Sequence, residues 1–230
     1  NRPLSTINSA LRHLAKAGFG PGPVDVDGVR LENVNDNRGP DASDVSAVLT
    51  RLKKSEKSPA AIRNYAIILL AAQRALRRSE ICKLSVGDVD VSRNEMRVFR
   101  KGRRTQIAIR ISEQTARALS EWLLIRPQMA RDGVQSLFVA IAPRPDQRGV
   151  AMSGEAIYRL IQKAGGGGRA WRPHGLRHTG ITTVLRRTNN LEAARLLAGH
   201  AKVATTQRYL DDSRGMEGLA VAAMEGAFED

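Results

Sequence analysis

Apolar residues recur every three or four positions through most of this chain, which is the spacing of amphipathic helices. The longest such run extends from Pro59 to Leu76, and residues 77–85 continue it with one or two further helical turns. Other helical patterns are predicted at 5–17, 42–54, 113–125, 154–163, 191–198, 203–212 and 216–228. The chain is therefore predicted to be mainly helical.

A different pattern occupies the region between residues 88 and 111. Apolar and polar residues alternate there, or β-branched residues cluster, in the segments DVDVS, EMRVFR and TQIAIRI. The basic sequence RKGRR at 100–104 predicts a turn between the last two segments. SLFVA at 136–140 is a further candidate strand, and the glycines at 165–168 are expected to form a flexible connection. The expected fold class is α+β, mainly α-helical with a small antiparallel β-sheet.

The composition along the chain suggests domain boundaries. Residues 18–40 are rich in Gly, Pro, Asn and Asp, which is typical of a linker. Residues 1–17 are then expected to be the last helix of a preceding domain, and 41–213 to form the compact domain. The remaining segment, 214–230, is expected to be a C-terminal helix. Its apolar face, within 216–228, either docks onto a partner or packs on its own domain.

The charge of the chain indicates a polyanionic partner. Lys and Arg number 37 against 23 Asp and Glu, a formal net charge of +14, and nucleic acid is the first candidate. An anionic membrane is the competitor, but the basic residues are spread along the chain. The longest apolar stretch, Ala66 to Ala72, is also too short for a membrane span. The single cysteine, Cys82, excludes an intrachain disulfide and is expected to be a buried, reduced residue of a cytosolic protein.

The sequence PHGLRH at 173–178 is a candidate anion site. Pro173 suits the first position of a helix, where its missing N–H needs no partner. In such a helix His174, Arg177 and His178 share one face at the positive end of the helix dipole, where phosphate binds well. The alternative is an ordinary surface helix with scattered polar residues.

Further polar residues fall at the predicted ends of elements, where sites are built. An arginine can donate two hydrogen bonds at once to phosphate oxygens, and histidines add donors where charge develops in a phosphoryl-transfer transition state. A lysine can protonate a leaving oxygen, and a tyrosine can attack phosphorus. The sequence shows no carboxylate cluster for a metal and no Cys/His set with zinc spacing, so a metal-free phosphodiester exchange is predicted. The candidate residues are Arg77, Glu80, Lys101, His174, Arg177, His200 and Tyr209.

The order and wording of these segments resemble the tyrosine recombinase (phage integrase) family, from about Asp41 to Ser213. The five motifs of the family are matched in order by RALRRSE (Arg77, Glu80), RKG (Lys101), HGLRH (His174, Arg177, His178), LAGH (His200) and TTQRY (Tyr209). Two departures occur. Arg74 and Ala75 stand where the family prefers small, flexible residues, and Ala198 replaces a commoner leucine or glycine. The resemblance implies the fold of a tyrosine recombinase catalytic domain, and makes 1–17 a remnant of an N-terminal core-binding domain.

The resemblance also implies a role for each residue. Tyr209 would attack the scissile phosphate, leaving a 3′-phosphotyrosyl bond and a free 5′-hydroxyl. Arg77 and Arg177 would hold the non-bridging oxygens, and Lys101 would protonate the 5′ leaving oxygen. The bond energy is kept in the phosphotyrosyl linkage, so that no ATP, metal or other cofactor is needed.

The remaining polar residues would assist. His174 and His200 would handle protons or donate hydrogen bonds, and Glu80 would orient a neighbouring arginine or histidine. His178 is expected to give structural support. Simpler interpretations remain open at this point: Lys101 as a plain phosphate contact, His200 as a helix-capping residue, and Tyr209 as a core residue.

The implied partner is double-stranded DNA. Members of the family act as tetramers on two DNA sites, and a fragment alone is expected to be monomeric in solution. A membrane partner is not expected, and the implied location is the bacterial cytoplasm, in association with the nucleoid. Two alternatives stay open, namely a type IB topoisomerase-like enzyme and a DNA-binding regulator that has lost catalysis.

Overall fold

The structure is a computed structural model that describes residues 9–11, 13–19, 39–54, 58–142, 144–168 and 171–211. The chain divides into two compact units, Asn1–Asp36 and Asn37–Asp230. In the first unit, residues 9–11 and 13–16 are helical, and a turn follows in which Gly18 has a φ of +79°. The predicted tail helix at 216–228 lies outside the described residues, and the assignment of 1–17, 18–40 and 214–230 stays a prediction.

The second unit is mainly helical with one small antiparallel sheet, as the sequence predicts. Two short 3₁₀ helices, Val86–Asp88 and Pro145–Gln147, accompany the main elements. The helices are α1 (Ala42–Lys54), α2 (Pro59–Gln73), α3 (Arg78–Cys82), α4 (Glu113–Met129), α5 (Gly154–Ala164), α6 (Pro173–Thr188), α7 (Leu191–Ala198) and α8 (Ala204–Asp211). The strands are β1 (Val89–Asp90), β2 (Glu95–Phe99) and β3 (Gln106–Arg110).

Serine side chains define where three of the helices begin. The hydroxyls of Ser58, Ser112 and Ser153 each accept a hydrogen bond from the backbone N–H three residues later, at 3.2, 3.1 and 3.1 Å. Each bond satisfies one of the N–H groups that a helix leaves without a partner in its first turn. The starts of α2, α4 and α5 are therefore encoded locally.

The strands pair in the order β1-β2-β3, antiparallel throughout. Met96 faces Ile109 and Val98 faces Ile107 across β2 and β3, and this face of β2 is buried against the core. The basic turn at 100–104 connects the two strands, as predicted. SLFVA is not a strand; it makes only isolated bridges, Ser136 with Ser85 and Val139 with Ala151.

The core is built around α2, which packs against α1, α4 and α6. Residues 66–71 of α2 are almost completely shielded from solvent. Since this helix is surrounded on all sides, its apolar residues are not confined to one face. A second, smaller apolar cluster consists of Ala75, Ile181, Leu185, Ala194, Ala198 and Tyr209. This second cluster lies beneath the residues that the sequence selects as a site.

Three further local predictions are wrong. Helix α2 ends at Gln73 rather than Leu76, because Ala75 adopts a left-handed conformation with a φ of +49°. The glycines at 165–168 form a hydrogen-bonded turn against the ring of Trp171 rather than a flexible connection; a Cβ on Gly165 would lie 1.8 Å from that ring. Cys82 is half-buried rather than buried, and burial raises the pKa of its thiol.

Candidate active site

Helix α6 begins at Pro173, so the helix predicted from PHGLRH is present. Arg172 precedes it in an extended conformation with a φ of −140° and a ψ of 157°. His174 is exposed at the start of this helix, whereas Arg177 and His178 are buried one turn further along. The alternative of a plain surface helix is therefore wrong, because an arginine with 1% exposure is not a surface residue.

Arg177 joins three segments that are distant in sequence. Its Nη1 donates to the carbonyl of Ala75, and its Nη2 donates to the carbonyl of Ala198 at 2.8 Å. The same Nη2 lies 2.8 Å from Nε2 of His200. Burial and the positive charge of Arg77 lower the pKa of Arg177 to about 10. Because a buried charge is costly unless it is hydrogen-bonded, these contacts are what allow the guanidinium to lie here.

Glu80 binds Arg77 through both of its carboxylate oxygens. The backbone N–H of Arg77 donates to Oε2 at 2.9 Å, and its Nη1 donates to Oε1 at 2.8 Å. The Glu80 side chain is 2% exposed and that of Arg77 is 28% exposed. Glu80 thus caps α3 and holds the Arg77 guanidinium at the edge of the site.

The contacts of His200 determine its tautomer. A guanidinium can only donate, so Nε2 accepts the hydrogen bond from Arg177 and the proton is on Nδ1. Nδ1 then donates to Oγ1 of Thr206 at 3.0 Å. Burial, followed by the charges of Arg177 and Arg77, lowers the pKa of His200 to about 4. His200 is therefore neutral at neutral pH.

His174 has a different environment. Its pKa is also lowered, first by desolvation and then by the charges of Arg177 and His178. In the part of the chain that the structure describes, its ring makes no hydrogen bond. The lowered pKa favours the neutral imidazole, and its nitrogens make no hydrogen bond to a described residue.

Tyr209 lies on α8 within the second apolar cluster. Its ring centroid is 5.0 Å from that of His178 and 6.0 Å from that of His200. The residue is 8% exposed. The structure therefore brings Tyr209, Arg177 and both of these histidines together within one chain.

Lys101 lies apart from the other predicted residues in the part of the chain that the structure describes. It is exposed in the β2–β3 turn, and no hydrogen bond or ion pair joins it to another described residue. Its neighbour Arg100, however, is 3% exposed and donates to Oε2 of Glu80 at 3.1 Å.

Sequence reasoning missed two residues of this site, Arg100 and Thr206. The available signal for Arg100 was its position directly before Lys101 in the motif RKG. Thr206 gave no signal that distinguishes it from Thr205, since both lie in the motif TTQRY. Only the contact with His200 shows that Thr206 belongs to the site.

The site carries a large positive charge. In addition to burial, Arg77 and Arg100 lower the pKa of Arg177, Arg100 lowers the pKa of Arg74, and Glu80 binds both Arg77 and Arg100. Nε of Arg74 and Nε of Arg100 are buried without a hydrogen-bond partner. No three His, Cys, Asp or Glu side chains in the described ranges are grouped as metal ligands would be. This arrangement of donors fits an anion such as a phosphodiester.

Comparison with known proteins gives a consistent result. The model of the phage integrase family matches residues 41–215. A tyrosine recombinase of Synechococcus elongatus is 30% identical over 220 residues, covering 93% of this chain and 67% of that protein. Tyrosine recombinase XerC of Vibrio cholerae is 32% identical over 173 residues, covering 72% of this chain and 52% of XerC. The chain thus spans about half the length of the XerC relative.

Solved structures show the same fold. XerH recombinase in a post-cleavage complex with difH has a TM-score of 0.69 at 19% identity, covering 90% of this chain and 59% of XerH. The Tn1549 transposon integrase in complex with transposon right end DNA has a TM-score of 0.67 at 20% identity, covering 96% and 78%. Within the described part of this chain, no helix is long and apolar enough to cross a membrane. Fold, site and sequence agree, and the chain belongs to the phage integrase family of tyrosine recombinases.

Proposed function

We propose that this chain is a site-specific recombinase that cuts and rejoins double-stranded DNA through a 3′-phosphotyrosyl intermediate at Tyr209. The observation that carries the proposal is the gathering of Tyr209, Arg177 and His200 in one chain, beside a group of guanidinium side chains. Family membership supports it, and XerH and the Tn1549 integrase are solved in complex with DNA.

The chemistry balances without an outside reactant. The phenol oxygen of Tyr209 bonds to phosphorus as the bond from phosphorus to the 5′ oxygen breaks. Arg77 and Arg177 neutralise the charge on the non-bridging oxygens, and Lys101 gives a proton to the leaving oxygen. The tyrosine proton passes to His174, the neutral imidazole that makes no hydrogen bond to a described residue. His200, whose Nε2 already accepts from Arg177, orients that arginine.

The proposed assembly is a homotetramer on two DNA sites, with monomers in solution. The packing of Tyr209 against His178 and His200 of its own chain supports attack in cis. The amphipathic segment 216–228 is the proposed partner-docking tail, and the proposed location is the bacterial cytoplasm, on the nucleoid. Since the net charge is +14, binding to DNA should weaken steeply as salt is raised.

The test is covalent trapping on DNA that cannot be resealed. The chain is mixed with nicked duplexes of random sequence, built so that cleavage releases a short fragment, and run on a denaturing gel. We expect a DNA-linked band that is absent from Tyr209→Phe and present in the matched control Tyr158→Phe, a half-buried tyrosine on α5. A band that persists in Tyr209→Phe, or DNA binding by the wild type without any band, would contradict the proposal.

The adduct also separates the remaining alternatives. Sequencing the trapped DNA yields the preferred duplex, which can then be supplied as paired sites or within a supercoiled circle. Exchange between paired sites is the expected result. Relaxation of supercoils without exchange would indicate a topoisomerase-like enzyme instead.

A further inference from the structure

Arg100 occupies an unusual position for a charged residue. It directly follows β2 and is 3% exposed, although Phe99 and Lys101 on either side are both exposed. Its carbonyl accepts a hydrogen bond from the N–H of Arg103 at 3.0 Å, which closes a four-residue turn. Lys101 is the second residue of that turn, and Gly102 is the third, with a φ of +82°. Wherever Arg100 is held, the backbone of Lys101 is held as well.

The guanidinium of Arg100 turns inward and binds two other elements. Its Nη1 donates to Oε2 of Glu80 at 3.1 Å, and its Nη2 donates to the carbonyl of Leu197 at 3.2 Å. Nη1 also lies 3.4 Å from the carbonyl of Ala198. These carbonyls end α7, where a helix leaves acceptors without partners and favours a positive charge.

Both kinds of acceptor are shared with the other arginines of the site. Glu80 also binds Arg77, and the Ala198 carbonyl also binds Arg177. Arg100 therefore connects the turn of Lys101 to both proposed phosphate ligands. Since Arg100 is 3% exposed and both Nη1 and Nη2 donate to groups of the protein, it acts through these neighbours rather than on DNA.

Gly199 leaves the space that this arrangement needs. A Cβ at position 199 would lie 2.7 Å from Nε and 2.9 Å from Cζ of Arg100. Gly199 also has a φ of +61°, which ends α7 and directs the chain to His200. The Arg100 guanidinium is thus packed against the residue that precedes the buried histidine.

We propose that Arg100 is a positioning residue, which holds the Lys101 turn in register with Glu80 and with the end of α7. The proposal rests on the proposed function, in which Lys101 protonates the 5′ leaving oxygen. Without Arg100, the turn would keep its fold but the ammonium would no longer be held beside the scissile phosphate. The loss should therefore fall on the protonation step.

A change of leaving group isolates that step. A duplex with sulfur in place of the bridging 5′ oxygen releases a thiolate, which needs no proton from a general acid. Arg100→Met should slow cleavage of the oxygen substrate by roughly 10- to 100-fold, a fraction of what a general acid contributes. It should leave cleavage of the sulfur substrate within a few-fold of wild type. Lys101→Ala should show the same split, and the exposed Arg117→Met on α4 should show none.

Each outcome has one meaning. Equal slowing on both substrates, no slowing by Arg100→Met, or no split in Lys101→Ala would overturn the role of Arg100. Failure of the wild type to form an adduct would instead overturn the proposed function. Circular dichroism melting checks the fold; if Arg100→Met is unfolded, Arg100→Lys is used. The lysine of Arg100→Lys keeps the charge but lacks the planar guanidinium that binds carboxylate and carbonyl together. The same difference between the oxygen and sulfur substrates is therefore expected.

Discussion

Replacing Gly199 by alanine tests the packing at the centre of the site. Gly199 and Gly133 both have positive φ angles, +61° and +77°. They differ in their surroundings, because nothing lies within 4 Å of a Cβ at Gly133, whereas a Cβ at Gly199 meets the Arg100 guanidinium at 2.7 Å. The pair therefore separates the backbone cost of a left-handed alanine from the cost of displacing Arg100.

The magnitude follows from these contacts. A left-handed alanine costs about 1 kcal/mol, and this cost applies at both positions. At Gly199 the guanidinium must also leave the carbonyls of Leu197 and Ala198. At about 1 kcal/mol for each hydrogen bond, the extra loss is about 2 kcal/mol. We therefore expect Gly199→Ala to lower the free energy of unfolding by about 3 kcal/mol and Gly133→Ala by about 1 kcal/mol.

Urea denaturation followed by circular dichroism measures both values. The difference of about 2 kcal/mol corresponds to a midpoint shift of roughly 1 M urea. In an Arg100→Ala background, where the alanine at 199 meets no guanidinium, the extra loss should disappear. Equal losses in the two single variants, or an extra loss that persists without Arg100, would refute this account.

Three further predictions concern neighbouring features. The pKa of His200 is about 4 when folded against an ordinary 6.5, so the unfolded chain takes up the proton first as the pH falls. The free energy of unfolding should thus fall by up to about 3 kcal/mol between pH 6.5 and 4. Urea titrations at several pH values should show a weaker pH dependence for His200→Gln. An unchanged pH dependence in this variant would contradict the lowered pKa of His200. Thr206→Val removes the hydrogen-bond acceptor of His200 Nδ1 and should lower the free energy of unfolding by about 1–3 kcal/mol. Thr206→Ser keeps a hydroxyl and should cost little. Equal losses of stability in thermal unfolding would exclude this hydrogen bond. Gly165→Ala drives a Cβ into the ring of Trp171 and should lower the free energy of unfolding by about 1–3 kcal/mol. A Cβ at Gly168 would lie 3.5 Å from the same ring, so Gly168→Ala should be near neutral. Equal melting temperatures of the two variants would contradict the packed turn.

Local patterns sufficed for most of the fold. Helix starts were recoverable because Ser58, Ser112 and Ser153 cap their own helices. The register of β2 and β3 follows the alternation of buried and exposed residues. The end of α2 was not recoverable, because the left-handed turn at Ala75 lies in a continuous apolar pattern. That turn places the Ala75 carbonyl against Arg177, a contact over 102 positions that no local pattern encodes.

The site divides in the same way. Tyr209, Arg177 and His174 could be predicted from motifs, because their spacing within each short segment is local. Arg100 and Thr206 were not, because each acts through a buried partner that is contributed by another part of the structure.

The sequence by itself determined the family, the helical class and the small sheet, and it supplied the candidate set of site residues. Only the tertiary structure decided which charges are paired, which tautomer His200 adopts and what holds the turn of Lys101. The physical reason is that periodicity and capping depend on neighbours within a few residues. Burial and charge pairing depend on groups brought together from distant segments, here Glu80, Arg100 and the end of α7.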